Sequence, residues 1–169
     1  TPNTSSAASD VYKRQVAALR ELTLTGNVAI DGGGLLLYDS SPTIQDATFT
    51  DNIAAADGGG MSLDSASSAI VANVAFTDNA AAEGGGILLR SFGQLSLFSA
   101  TLTGNTASVS GGGLYIWDHA EAELRKVTVE GNEAADAGGI AVAQDSVAAL
   151  ESVCLLYTSD AADEVVGGV

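Results

Sequence analysis

The sequence predicts an all-β solenoid: a parallel β-helix of about five coils, each with three short strands. Three observations carry this. An Asn recurs at Asn27, Asn52, Asn79, Asn105 and Asn132, at spacings of 25, 27, 26 and 27 residues. A glycine cluster follows each Asn at 32–34, 58–60, 84–86 and 111–113, and shortened at 138–139, led by Gly32, Gly58, Gly84, Gly111 and Gly138. Apolar residues keep fixed offsets from both marks. A repeat of roughly 26 residues is a unit that buries its apolar face only against its neighbours in a stack.

The elements of one coil follow in order. Eight residues before each Asn stand Leu19, Ile44, Val71, Leu97 and Leu124. Five before stand Leu22, Ala47, Val74, Ala100 and Val127, and three before stand Leu24, Phe49, Phe76, Leu102 and Val129. Their neighbours are mixed or polar, which is the alternation of a strand with one buried face. Two after the Asn comes a column of alanines, Ala29, Ala54, Ala81, Ala107 and Ala134, which marks a place too narrow for larger side chains. Beyond the glycines, Leu35 with Leu37, Met61 with Leu63, Ile87 with Leu89, Leu114 with Ile116 and Ile140 with Val142 make a third strand. The glycines are expected to supply positive φ or close backbone approach at a corner. The Asn column is expected to form a ladder of side-chain amides that satisfies corner backbone groups. The triplets lack the Lys and following helix of a phosphate-binding loop.

Units such as FTDNIAAADGGGMSL at 49–63 and FTDNAAAEGGGILL at 76–89 resemble the polymorphic outer-membrane protein repeat, whose hallmarks are F-x-x-N and G-G-A-(I/L/V). The third hallmark position is Gly rather than Ala in four units, and Leu24, Leu102 and Val129 replace the Phe. The resemblance implies a right-handed coil and a bacterial protein that is secreted or held at the cell surface, often as an autotransporter passenger. It implies adhesion, with a host or matrix surface, a glycan or a protein as partner. No catalytic residue belongs to the motif.

The flanks read differently. SSAASDVYKRQ at 5–15 resembles the translation of a transposase sequencing adapter, and CLLYTSDAADE at 154–164 resembles the same DNA read in reverse complement. Residues 1–15 and 154–169 are therefore expected to be non-native tails around a β-helix fragment at 16–153. On that reading Cys154, the sole cysteine, carries no chemistry, the absence of a signal peptide or anchor is uninformative because either could lie outside the fragment, and the stack lacks caps. Such a chain is expected to aggregate or fray at its ends. Val153 and Leu155 fall where the fifth and third positions before a sixth Asn would fall, so tail residues are expected to imitate another strand.

The whole chain has 21 acidic and 6 basic residues, a net charge of −15. Only Arg20, Arg90, Arg125 and Lys126 are basic between 16 and 153. That argues against nucleic acid, which demands Lys and Arg for its phosphates, and against an anionic membrane. No long apolar run is present to cross a bilayer as a helix.

Candidate chemistry is sparse, and an enzyme is the less favoured class. Counting from the glycines, Leu36, Ser62, Leu88 and Tyr115 should face outward, as should Tyr38, Asp64, Arg90 and Trp117 two places later. Tyr38, Asp64, Arg90 and Trp117 could grip a sugar. Pectin-lyase-like β-helices combine carboxylates with an Arg or Lys base in this way. The plainer reading pairs Arg90 with Asp64 and lays it over Trp117. Asp31, Asp57 and Glu83 precede glycine triplets and should stack. Their repulsion invites a cation such as Ca²⁺, though Ser110 breaks the column and Asp136 stands one place out of line. No other cofactor is implied. The pairs Thr23/Thr25, Thr48/Thr50 and Thr101/Thr103 resemble the T-x-T arrays of ice-binding solenoids, with Ala75 and Glu130 as interruptions. Thr is also simply a good exposed strand former. His119, the single histidine, has no second His or Cys for a metal or a triad.

Overall fold

The computed structural model describes residues 18–156 and 166–167. Every strand pairs in parallel with the equivalent strand one coil away, as the repeat requires. A long sheet holds Thr43–Thr50, Ser68–Thr77, Gln94–Thr103 and Glu121–Glu130, with shorter strands at both ends. The Asn-led sheet holds Val28–Asp31, Ile53–Asp57, Ala80–Glu83, Thr106–Ser110 and Glu133–Asp136. The Gly-led sheet holds Leu35–Tyr38, Met61–Asp64, Ile87–Leu89, Leu114–Ile116, Ile140–Val142 and Val166–Gly167. Each coil thus has three strands, and the Asn-led sheet counts five coils.

The apolar columns stack as read. Ile44 pairs with Val71, Val71 with Leu97, and Leu97 with Leu124. All four are fully buried. Phe49 and Phe76 lie in register with ring centroids 4.6 Å apart and planes 11° apart. The strands of the long sheet are longer than the short ones expected, up to ten residues. They are also kinked. Glu21, Asp46, Asn73, Ser99 and Lys126 take φ of 50–56° at the sixth place before the five Asn residues. The kink explains an oddity of the pattern. The inward columns eight and five before the Asn are three residues apart, which plain alternation forbids, and one left-handed residue restores the inward direction.

The Asn ladder is complete. Asn52 donates its side-chain N–H to Asn79 Oδ1 at 2.9 Å and to the carbonyl of Leu24 at 2.8 Å. Its Oδ1 accepts from the backbone and side chain of Asn27. The pattern repeats at Asn79 and Asn105, and Asn132 accepts from Asn105 and donates to the carbonyl of Leu102, so buried amides close one another's valences up the wall.

The glycine triplets do two jobs. Gly58 has φ of +62°, which turns the corner. A Cβ on Gly59 would stand 2.4 Å from the carbonyl oxygen of Gly85 and 2.6 Å from that of Ala80, and one on Gly60 would stand 2.7 Å from the Phe76 ring. The glycine backbone therefore runs directly against the start of the Asn-led strand. That contact pinches each coil into a main chamber and a small side arc. Ala54, Ala107 and Ala134 are buried in the arc yet lie outside the main apolar cluster, and Ala29 and Ala81 are half-buried.

Two expectations at the last coil are corrected. Gly112 N–H donates to the carbonyl of Ala137 and Gly113 N–H to that of Gly138, so Gly138 occupies the second glycine place. Ala137, at φ of 50°, takes the first, where Gly32, Gly58, Gly84 and Gly111 stand in other coils. Asp136 is not out of line either: a bulge brings it into pairing with Ser110. The bulge absorbs the alternation between four and five residues from Asn to acid. Cys154–Leu156 pairs with the long sheet and sets Leu155 beside Val129, and Val153 and Leu155 pack on the core at the places their spacing gave them.

Candidate functional site

The expected ladder sits on the outer side of the Gly-led sheet and at the corner after it. Tyr38 pairs with Asp64, Arg90 N–H donates to the carbonyl of Leu63, and Trp117 N–H donates to that of Leu89. The four residues therefore climb the stack one per coil, as the repeat spacing predicts. Tyr38 is exposed, while Asp64, Arg90 and Trp117 are half-buried.

The two-residue offset below them is corrected. Leu36 and Tyr115 are only half-exposed, and Ser62 and Leu88 are fully buried. Leu88 nonetheless points outward, since it is fully buried yet lies outside the main apolar cluster. The cause is the glycine corner. A Cβ on Gly58 would lie 2.8 Å from Ser62 Cβ, and one on Gly111 would lie 2.6 Å from Tyr115 Cβ. The corner folds over the strand that follows it and covers this column. The Ser62 hydroxyl is buried there without a hydrogen-bond partner among the described residues.

Arg90 is the hub. One guanidinium nitrogen donates to Asp64 Oδ2 at 2.9 Å, and the other forms an ion pair with Asp57. Pairing with Asp64 was expected; Asp57 was not. Arg90 thus reaches back to the preceding coil, away from Trp117 in the following one, and does not lie over that ring as the plainer reading had it. The signal for Asp57 was present in its place one coil back among acids that precede glycine triplets. What was missing was the lateral distance between the two columns.

The electrostatics follow from this fork. Burial pushes the Asp57 carboxyl up, Arg90 opposes it, and neighbouring Asp31 adds to the rise, so Asp57 holds protons more readily than usual. Burial also pushes on Asp64, but the Arg90 hydrogen bond and charge outweigh it, and that carboxyl lies below its ordinary value. The two partners of one Arg move oppositely because Asp57 is the more buried and carries a like-charged neighbour. Glu83 is raised by burial and then by Asp57, and Tyr115 by burial and then by Glu83.

The acid column is in register, with Asp31 on Asp57 and Asp57 on Glu83. Among the described residues no three His, Cys, Asp or Glu side chains are grouped as a metal ion requires. His119 stacks on Phe92 at 5.0 Å, with Asp118 at 3.0 Å from its Nδ1. The Thr columns are aligned: Thr23 on Thr48, and Thr25 on Thr50 on Thr77 on Thr103. Ala75 stands between Thr48 and Thr101.

A face that the sequence reading did not single out is the outer side of the Asn-led sheet. Val28 is 68%, Ile30 72%, Ile53 49% and Val109 49% exposed there. The alternation that buries the alanines aims Val28, Ile30 and Ile53 at solvent, whereas Val109, two places after Ala107, is turned outward by the bulge before Ser110.

The family model described as "Right handed beta helix region" matches residues 5–147. No curated protein and no solved structure matches the chain.

Proposed function

The chain belongs to the right-handed β-helix family, and from that premise we propose that it is part of a secreted or cell-surface bacterial protein acting as an adhesin-like scaffold. The observation that carries the reading is the exposed aliphatic face of the Asn-led sheet, where isolated surface apolar residues would be unremarkable but a register-locked group marks a contact surface. The resemblance of its units to polymorphic outer-membrane protein repeats supports the same reading. On it, the strand Cys154–Leu156 comes from an adapter-derived tail and has no bearing on activity. The test is binding of the purified chain to panels of matrix proteins and glycans. Saturable binding that falls on Ile53→Ser, with unchanged circular dichroism, is expected. Cleavage of a polyuronate that is lost in Arg90→Ala would overturn it.

A pectin-lyase-like, polysaccharide-acting reading has one observation in its favour: Arg90 stands between two carboxylates on the outer side of the stack. Against it, Arg90 is fully engaged by those carboxylates and raised in pKa, the wrong direction for a base. An ice-binding reading rests on the aligned Thr columns. It falls if thermal hysteresis is absent, or survives Thr48→Leu with Thr101→Leu.

A further inference from the structure

We infer that the Asn-led face docks a cationic amphipathic segment of another protein, with aliphatic residues on one side and Lys or Arg along its edges. This rests on the scaffold reading and names its partner's chemistry. The floor of the face is apolar or small over its first three coils. Val28 pairs with Ile53 and Ile53 with Ala80, and the column continues through Thr106 to the exposed Glu133. Further along the same strands Ile30, Ala55, Ser108, Val109 and Ala135 are exposed, and Ala82 is half-buried. Across the lower coils the face is dented by a shallow groove of about 530 Å³ lined by Thr106, Ser108, Glu133 and Ala135.

Both rims are acidic. At the entrance to the strands, Asp51 and Asp78 are exposed at left-handed corners. At the exit stand Asp31, Glu83 and Asp136, with Asp57 turned to Arg90. The five strands of this sheet contain no Lys or Arg. With strands of four to five residues, the rims are roughly 15 Å apart. An apolar floor between two negative rims selects against an anionic bilayer, and against a second copy of a chain whose net charge is −15. A cationic amphipathic segment satisfies the floor and both rims together.

The test uses fluorescence anisotropy with a labelled synthetic Leu/Lys amphipathic peptide and a Leu/Glu peptide of identical pattern. The Leu/Lys peptide should bind saturably and the Leu/Glu peptide should not. Ile53→Ser with Val109→Ser should weaken binding about tenfold, the effect of removing a central apolar contact. Both side chains point outward, so folding is spared. Asp51→Asn with Asp78→Asn, which keeps residues that tolerate the left-handed corner, should weaken it and flatten its salt dependence. Glu121→Gln with Asp145→Asn removes the same charge elsewhere and should change nothing. Equal binding by all variants would reveal mere charge attraction and overturn the proposal. So would an absence of saturable binding, or self-association abolished by Ile53→Ser. If the peptide fails while Ile53-dependent binding to matrix or glycan persists, the partner chemistry falls and the scaffold reading stands.

Discussion

Two columns run up this stack side by side and are built on opposite rules. The Asn ladder carries the same residue in all five coils, and its side-chain amides close a chain of hydrogen bonds inside the wall. The outer ladder of the Gly-led sheet is just as well registered, yet its residue changes at every step: Tyr38, Asp64, Arg90, Trp117. A buried column tolerates one answer, because any replacement strands polar groups without water. An exposed column has its positions fixed by the fold and its chemistry left free. That freedom is where a β-helix can acquire a binding function, and it is also why resemblance alone assigns none.

The comparison can be broken at several points, beginning with the largest effect. Asn79→Leu should destabilise the chain by about 3–5 kcal/mol in urea unfolding, since it orphans the Asn52 backbone and side-chain donors and the Phe49 carbonyl at once. A loss no larger than that of a surface substitution would end the claim that the ladder holds the coils. Gly59→Ala should cost about 1–3 kcal/mol, because its methyl group meets carbonyl oxygens of Gly85 and Ala80 that cannot swing aside.

Arg90→Ala tests the single point where the outer column behaves like an inner one. The pair is a quarter exposed on the Arg side, so solvent screening reduces the loss to about 1–2 kcal/mol. Its pH signature is more telling. Asp57 and Glu83 have raised folded values, so on acidification they take up protons above the ordinary 3.8 and 4.5, and stability rises through that window. Asp64 has a depressed folded value, so its contribution is complete above 3.8 and is lost as pH falls below it. Wild type should therefore gain stability in mild acid and lose it in stronger acid. Without Arg90 the mild-acid gain should grow and the Asp64 loss should vanish; an unchanged profile would sink the assignment. Tyr38→Ala, at the exposed end of the same ladder, should move the unfolding midpoint by no more than about 0.5 kcal/mol.

Much of the fold was legible because in a solenoid the nearest neighbour through space is the residue one repeat away. The Asn, Ala and apolar columns are periodic in sequence, and periodicity translates directly into axial stacking. Gly138 was misplaced because the eye aligns glycine with glycine, whereas backbone pairing aligns Gly138 with Gly112 and leaves the left-handed corner to Ala137. The kink at Asp46, Asn73, Ser99 and Lys126 was visible only as a parity mismatch, because no glycine marks it.

The sequence by itself determined the coil length, the register of the first four coils, and which apolar columns face inward. The tertiary structure alone decided what lies beside what across columns: that Arg90 reaches Asp57, that a glycine corner roofs over Ser62 and Leu88, and that the side arc turns Ile53 and Val109 toward solvent between acidic rims. The physical reason is that axial contacts are set by the repeat, which the sequence spells out. Lateral contacts are set by the shape of the coil's cross-section, and that shape depends on where the backbone turns left-handed and where glycines let two strands touch.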